Sequence, residues 1–165
     1  MSWQDEIPEM IRYAIGDVDS PQKYTDARLQ KQVVISANLI QSEVALDNTY
    51  TISISATGIS PDPTNDTYKD NPFVTLIVLK SACMLAQNES RIYVGQSISV
   101  VDNGSSVDTR ERAKSALELS KSFCAQYEDA KWQYATGQMA GVDPRVRFVV
   151  SPIRFRYGGN MGYGI

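Results

Sequence analysis

NPFVTLIVLKSACMLAQNES, residues 71–90, decides how the rest of the chain is read. Pro72 suits the first turn of a helix, where its missing N–H has no partner to lose. From Phe73 to Ala86, apolar residues fall on nearly every side of a helical projection. That predicts a helix packed all round by others, not a surface helix with one apolar stripe. Thr75, Lys80 and Ser81 interrupt the run, and it stops short of the roughly 20 apolar residues that a bilayer span needs. The segment is therefore expected to be the central helix of a helical body, and its neighbours should be amphipathic.

The flanking patterns agree. In SWQDEIPEMIRYAIGD (2–17), Ile7, Met10, Ile11, Ala14 and Ile15 share one helical face. Ser2 can cap this helix, Gly16 ends it, and Pro8 is tolerable only near the first turn. In YTDARLQKQVVISANLIQSEVAL (24–46), Leu29, Val33, Ala37, Ile40 and Val44 recur at helical steps behind a Thr25 or Asp26 cap. A fourth pattern runs from Thr109 to Gly137. Ala116, Leu119, Phe123, Tyr127, Ala130 and Tyr134 step by three or four, Asp108 and Glu111 form an acidic capping box, and Gly137 can terminate the helix.

Two extended patterns interrupt the helices. Tyr50, Ile52 and Ile54 alternate with Thr51, Ser53 and Ser55, and Ile98 and Val100 alternate before the turn signal Asn103-Gly104. The stretches about Tyr50–Ile54 and Ser97–Val101 are expected to pair with each other as a small antiparallel ribbon. The loop between the first of them and the central helix carries Asp62, Asp66 and Asp70 at steps of four. It lacks the glycine and terminal glutamate of an EF-hand, so solvation of a loop explains the acids better than calcium binding.

At 165 residues the chain is expected to form one core with appendages. The acidic amino terminus, MSWQDEIPEM, lacks the apolar region of a secretory signal, so the chain should stay where it is made. The sequence contains no histidine, which excludes Ser-His-Asp and Cys-His catalysis and most zinc centres within one chain. Cys83 and Cys124 fall within apolar helical patterns, where a free thiol packs as a small hydrophobe, and that role is expected for both. Asp5, Glu6 and Glu9 lie at a helix start, where carboxylates complement the dipole, so they do not make an acid/base pair. Arg110, Arg112, Lys114 and Lys121 alternate with acids and suit a solvated or intersubunit face better than a nucleic-acid stripe. No catalytic residue, cofactor or metal is expected.

Charge divides the chain. Residues 1–143 hold 12 Lys and Arg against 19 Asp and Glu, a balance of -7, whereas residues 144–165 hold four Arg and no acid, a balance of +4. An acidic body is a poor general DNA binder, because counterion release needs clustered cations. The terminal segment VRFVVSPIRFRYGGNMGYGI (146–165) has two alternating halves hinged at Pro152. Val146, Phe148 and Val150 share one face. Ile153, Phe155 and Tyr157 share another, opposite Arg154 and Arg156, while Arg145 and Arg147 flank the first half. Burying these side chains gains about as much as ordering the segment costs, so the arm needs a partner. Strand addition to another subunit suits it, and an edge strand on the chain's own small sheet is the alternative. Its glycine-rich tip closes the segment without a following helix, so it is not a phosphate loop. The expected partner-binding residues are Arg145, Val146, Arg147, Phe148, Val150, Ile153, Arg154, Phe155, Arg156 and Tyr157.

MSWQDEIPEMIRYAI (1–15), YTDARLQKQVVISANLI (24–40), TYTISISATGISPDP (49–63), NPFVTLIVLKSACMLA (71–86) and VVDNGSSVDTRE (100–111) together resemble head-to-tail connector, or adaptor, proteins of tailed bacteriophages, particularly those of marine and cyanobacterial phages. The resemblance covers most of residues 1–137. It implies a mainly helical structural protein of the virion neck, with no enzymatic activity, that assembles as a dodecameric ring beneath the portal protein. It also implies contact with tail or other neck proteins, a lumen that passes DNA without sequence-specific binding, and carboxy-terminal arms that reach the portal or a neighbouring subunit. A strand-rich neck component, such as a stopper or tail-completion protein, is the nearest alternative, followed by a small metal-binding regulator or enzyme. The expected architecture is mainly α: a four-helix bundle-like body over 1–137 with a small antiparallel β ribbon, and an extended carboxy-terminal docking arm over 138–165.

Overall fold

The computed structural model describes residues 2–95, 99–102, 105–108 and 110–137. Among them the order is α1 (Trp3–Ile15), α2 (Asp26–Glu43), β1 (Thr51–Ser53), β2 (Gly58–Ser60), α3 (Asn71–Gly95), β3 (Ser99–Asp102), β4 (Ser105–Asp108) and α4 (Arg110–Thr136). The protein is mainly α, as its periodicities predict. Among the described residues, no helix is long and apolar enough to cross a membrane.

The helix ends follow local chemistry. Ser2 Oγ accepts from Gln4 N–H at 3.2 Å, and Gly16 closes α1 at φ 74°, a conformation that costs glycine little. Thr25 Oγ1 accepts from Arg28 N–H at 3.4 Å at the start of α2. Pro8 is the sixth residue of α1, further in than the first turn that the sequence suggests. A proline there leaves the carbonyl four residues earlier without its helical donor. Gln30 Nε2, from α2, donates to that Gln4 carbonyl at 3.1 Å and replaces the lost bond.

α3 is the central helix, packing against α1, α2 and α4. Its first half meets Ile7 and Ile11 of α1, Leu29, Val33, Ala37 and Ile40 of α2, and Tyr127, Ala130 and Tyr134 of α4 in one core, to which it contributes Phe73, Leu76 and Ile77. Tyr50 stacks on Phe73 with ring centroids 4.4 Å apart. Where α2 crosses α3 the side chains are small, and Ser81 Oγ donates to Ser36 Oγ at 2.9 Å inside the interface.

Two expectations are corrected. The extended stretches do not pair with each other. β1 pairs with β2 in the register Ile52↔Ile59, and β3 with β4 in the register Val100↔Val107. Closing a loop of a few residues costs less entropy than bridging the whole of α3, so each strand takes its nearest partner. Nor are the cysteines free: Cys83 and Cys124 form a disulfide, with Cα atoms 4.7 Å apart. They sit near the midpoints of α3 and α4, and the antiparallel packing of those helices brings them together.

That crosslink divides the α3–α4 hairpin. On one side lies most of the shared core; on the other, past Leu85 and toward β3 and β4, the buried residues among the described side chains are Ala86, Ser90, Ala113 and Ser120. Such small side chains let two helices approach closely but supply little apolar volume. The long helix expected from the fourth pattern is present with 27 residues, and its inward face runs through Ala113, Ser120, Tyr127, Ala130 and Tyr134, leaving Leu119 exposed.

Candidate interaction surfaces

The arm residues Arg145, Val146, Arg147, Phe148, Val150, Ile153, Arg154, Phe155, Arg156 and Tyr157 lie outside the described residues. The side chains of Asp108 and Arg110 also lie outside that description, so the capping box does too; α4 begins at Arg110, directly after β4 and one intervening residue. Arg112, Lys114 and Lys121, by contrast, are exposed on α4.

Within the body, polar groups gather at three places, and each joins structural elements. At the end of α2, Glu43 Oε1 accepts from Lys80 Nζ at 2.7 Å and Oε2 from the Tyr127 hydroxyl at 2.7 Å, with Lys131 Nζ 3.7 Å away. One carboxylate thus fastens α2 to both α3 and α4. Burial alone pushes the Glu43 carboxyl up, but the hydrogen bonds from Lys80 and Tyr127 outweigh it and hold the carboxyl below its ordinary value. The Tyr127 phenol moves the other way, raised by burial and then by its bond to Glu43.

A second network organises the turn between α1 and α2. The buried Arg12 donates to Asp17 Oδ2 at 3.0 Å and also pairs with Asp26. Asp17 in turn accepts from the backbone N–H groups of Lys23 at 2.7 Å and Tyr24 at 3.1 Å. Tyr24 donates its hydroxyl to Glu89 on α3, which Lys23 also reaches at 2.7 Å.

The third network corrects the reading of the acidic loop. Asp62 Oδ1 accepts from Thr64 N–H and Oγ1, both at 2.8 Å, and its Oδ2 accepts from Trp3 N–H at 3.2 Å, tying the loop to the first turn of α1. Asp70 Oδ1 accepts from Phe73 N–H at 3.0 Å and so caps α3, while Oδ2 accepts from Tyr50 at 2.7 Å and Asn48 at 2.9 Å. Asp62 and Asp70 are structural caps; only Asp66 is left to the solvated role. Among the described residues, no group of three or more His, Cys, Asp or Glu is placed to hold a metal ion.

Tyrosine–carboxylate pairs of this kind keep the phenol protonated. Tyr24, Tyr50 and Tyr127 all lie well above their ordinary value, first through burial and then through the acceptor carboxylate. Each of these contacts joins two parts of the fold: the α1–α2 turn to α3, the segment before β1 to the loop before α3, and α4 to α2. A shallow pocket of about 20 Å³ lies where Ile15 of α1 approaches Leu119 and Phe123 of α4 over Leu85 and Glu89, roughly room for one water molecule.

The chemistry left over is on the outside. Met10 and Tyr13 stand exposed on α1, and Leu117, Leu119 and Trp132 on α4. The expected α1 face included Met10. The helix instead buries Trp3, Pro8 and Arg12 beside Ile7 and Ile11, which turns Met10 outward. Sequence periodicity passed over Trp132, although an aromatic residue out of phase with the inward face is the available signal for it. Comparison with family models, with curated proteins and with solved structures finds no match for the chain.

Proposed function

We propose that the chain is a structural protein of a tailed-phage virion: a connector that assembles as a ring beneath the portal, joins head to tail and continues the DNA channel. The observation that carries this reading is the half of the α3–α4 hairpin beyond the disulfide. Past Leu85, the buried residues of its two helices are, among the described side chains, Ala86, Ser90, Ala113 and Ser120, while Ile92, Leu117 and Leu119 are exposed. Apolar surface above so slight a core has more to gain from a neighbouring subunit than from solvent.

Other features support the same reading. The described residues are mostly helical, with two short hairpins as their strands, which favours a connector over a strand-rich stopper or tail-completion protein. The balance of -7 over residues 1–143 suits a lumen that passes DNA without gripping it. A disulfide suits a protein made in a host cytoplasm and carried in a released particle, since virion surfaces are among the settings where such bonds persist. In this reading the cationic arm, residues 138–165, docks on the portal or an adjacent subunit by adding strands to it.

Co-sedimentation with purified portal particles tests the proposal. The full chain should attach. A chain lacking residues 144–165 should keep its helical circular dichroism and lose attachment, and unchanged attachment of the shortened chain would refute the role given to the arm.

A further inference from the structure

The solvent side of α4 carries a stripe that the body itself does not use. Lys114, Leu117, Lys121, Ala125, Glu128 and Trp132 follow one another at steps of three or four, and all are exposed. Trp132 is 56% and Leu117 41% exposed, large apolar areas for positions on a solvent face. Glu128 is held by Lys131 at 2.6 Å, but Lys114 and Lys121 have no ion-pair partner among the described residues. The exposed Glu118 flanks the stripe on the side away from Leu117, and the line of Lys114, Leu117 and Lys121 itself is apolar and cationic.

α1 presents the complementary surface. Asp5, Glu9 and Tyr13 recur at steps of four with Met10 beside them; Tyr13 is 71% and Met10 42% exposed. Glu6 is engaged with Lys69, whereas Asp5 and Glu9 have no ion-pair partner among the described residues. This face is apolar and anionic. At 1.5 Å per residue, Asp5 to Tyr13 spans about 12 Å and Lys114 to Lys121 about 10.5 Å, so the two stripes match in length as well as in sign.

We infer that these two faces bind each other between copies of this chain: the Asp5–Glu9–Met10–Tyr13 face of one subunit docks on the Lys114–Leu117–Lys121 stripe of the next, with Trp132 extending the contact. Two copies of either face would oppose like charges, so the contact is heterologous and propagates head to tail. Each subunit then offers one free face of each kind, and a fixed rotation per step closes the series into a ring. The inference names the surfaces used by the ring proposed above and rests on that reading for closure alone.

Charge exchange tests it on the full-length chain by sedimentation velocity over a range of concentrations at low salt. The wild type should form assemblies larger than dimers that weaken as salt rises. Asp5→Lys/Glu9→Lys and, separately, Lys114→Glu/Lys121→Glu should each raise the concentration for half-assembly by about tenfold or more. Mixed in equal amounts, the two variants complement each other at both faces and should assemble again. Recovery on mixing also shows that both are folded. Wild-type protein that stays monomeric, wild-type assembly untouched by either reversal, or a mixture that stops at dimers would each overturn the inference. If the reversals have no effect while portal attachment persists, the faces are wrong and the connector reading stands. If the faces assemble as stated but portal attachment fails, the opposite holds.

Discussion

Reduction of the Cys83–Cys124 disulfide removes a crosslink whose worth follows from the chain it closes. The two residues are 41 apart in sequence. For a loop of that length, the lost freedom of the unfolded chain corresponds to about 13 cal/mol/K, or about 4 kcal/mol at 25 °C. At about 2–4 °C per kcal/mol for a chain of this size, the melting temperature should fall by about 10 °C. Reduction is the cleaner perturbation, because both sulfurs stay in place and only the bond between them is lost. The assay is thermal unfolding by circular dichroism with and without a phosphine reductant, with a thiol count on the protein purified without reductant. The loss should not be uniform. The half of the hairpin nearer α1 and α2 is held by the core, and Leu85 and the Tyr24–Glu89 contact extend that hold a turn or two past Cys83, so amide exchange should accelerate most in residues 90–95 and 110–122. Coincident melting of the oxidised and reduced protein, or free thiols in the protein as purified, would refute the reasoning.

Three further outcomes follow from the body's networks. Asp17→Ala leaves the buried Arg12 facing only Asp26 and frees the N–H groups of Lys23 and Tyr24, so it should destabilise by about 3 kcal/mol in urea unfolding, with helical content retained in the folded state. Because the Glu43 carboxyl lies below its ordinary value, its contribution is complete above about pH 4.3, the unfolded value, and disappears as pH falls through the lowered folded value; Glu43→Gln should therefore flatten the acid limb of stability against pH. Burial raises four phenols, Tyr134 to about 12 and Tyr24, Tyr50 and Tyr127 further. Their stabilisation is whole below about pH 10 and is lost as pH rises toward the folded values, so phenolate absorbance should show these tyrosines titrating together with alkaline unfolding. Finally, Thr57 occupies a left-handed conformation at φ 50°, which a β-branched residue adopts at a cost; Thr57→Asn should raise stability by about 0.5–1 kcal/mol in the same urea assay.

The helices were legible because their signals are local and repeated. A central helix apolar on all sides, a Leu29–Val33–Ala37–Ile40 stripe and a Ser2 cap require nothing beyond adjacent residues. What escaped depends on which elements meet. The Cys83–Cys124 bond requires two helix midpoints to come together, and nothing within either helix reports that. The β1–β2 hairpin turns at Thr57, a residue that favours strands, so the break between the strands was hidden. Leu119 lies in step with Phe123 and Tyr127, yet α4 outlasts the core that would bury it, and periodicity cannot tell where the core stops. The Glu43 network likewise draws its members from three helices. Of the surfaces, the cations of α4 were visible in the sequence as a solvated or intersubunit face. The α1 face was not, because it depends on how the helix is rotated about Pro8 and Arg12.

The central claim, that this chain is a ring component of a phage neck, is tested most directly by cryo-electron microscopy of virions that carry it, decorated with an antibody fragment specific for the chain. The account predicts that the fragments crown the head–tail junction around a ring of subunits whose neighbours meet through α1 and α4. Virions labelled elsewhere, or unlabelled while the chain is found free in the infected cell, would contradict it.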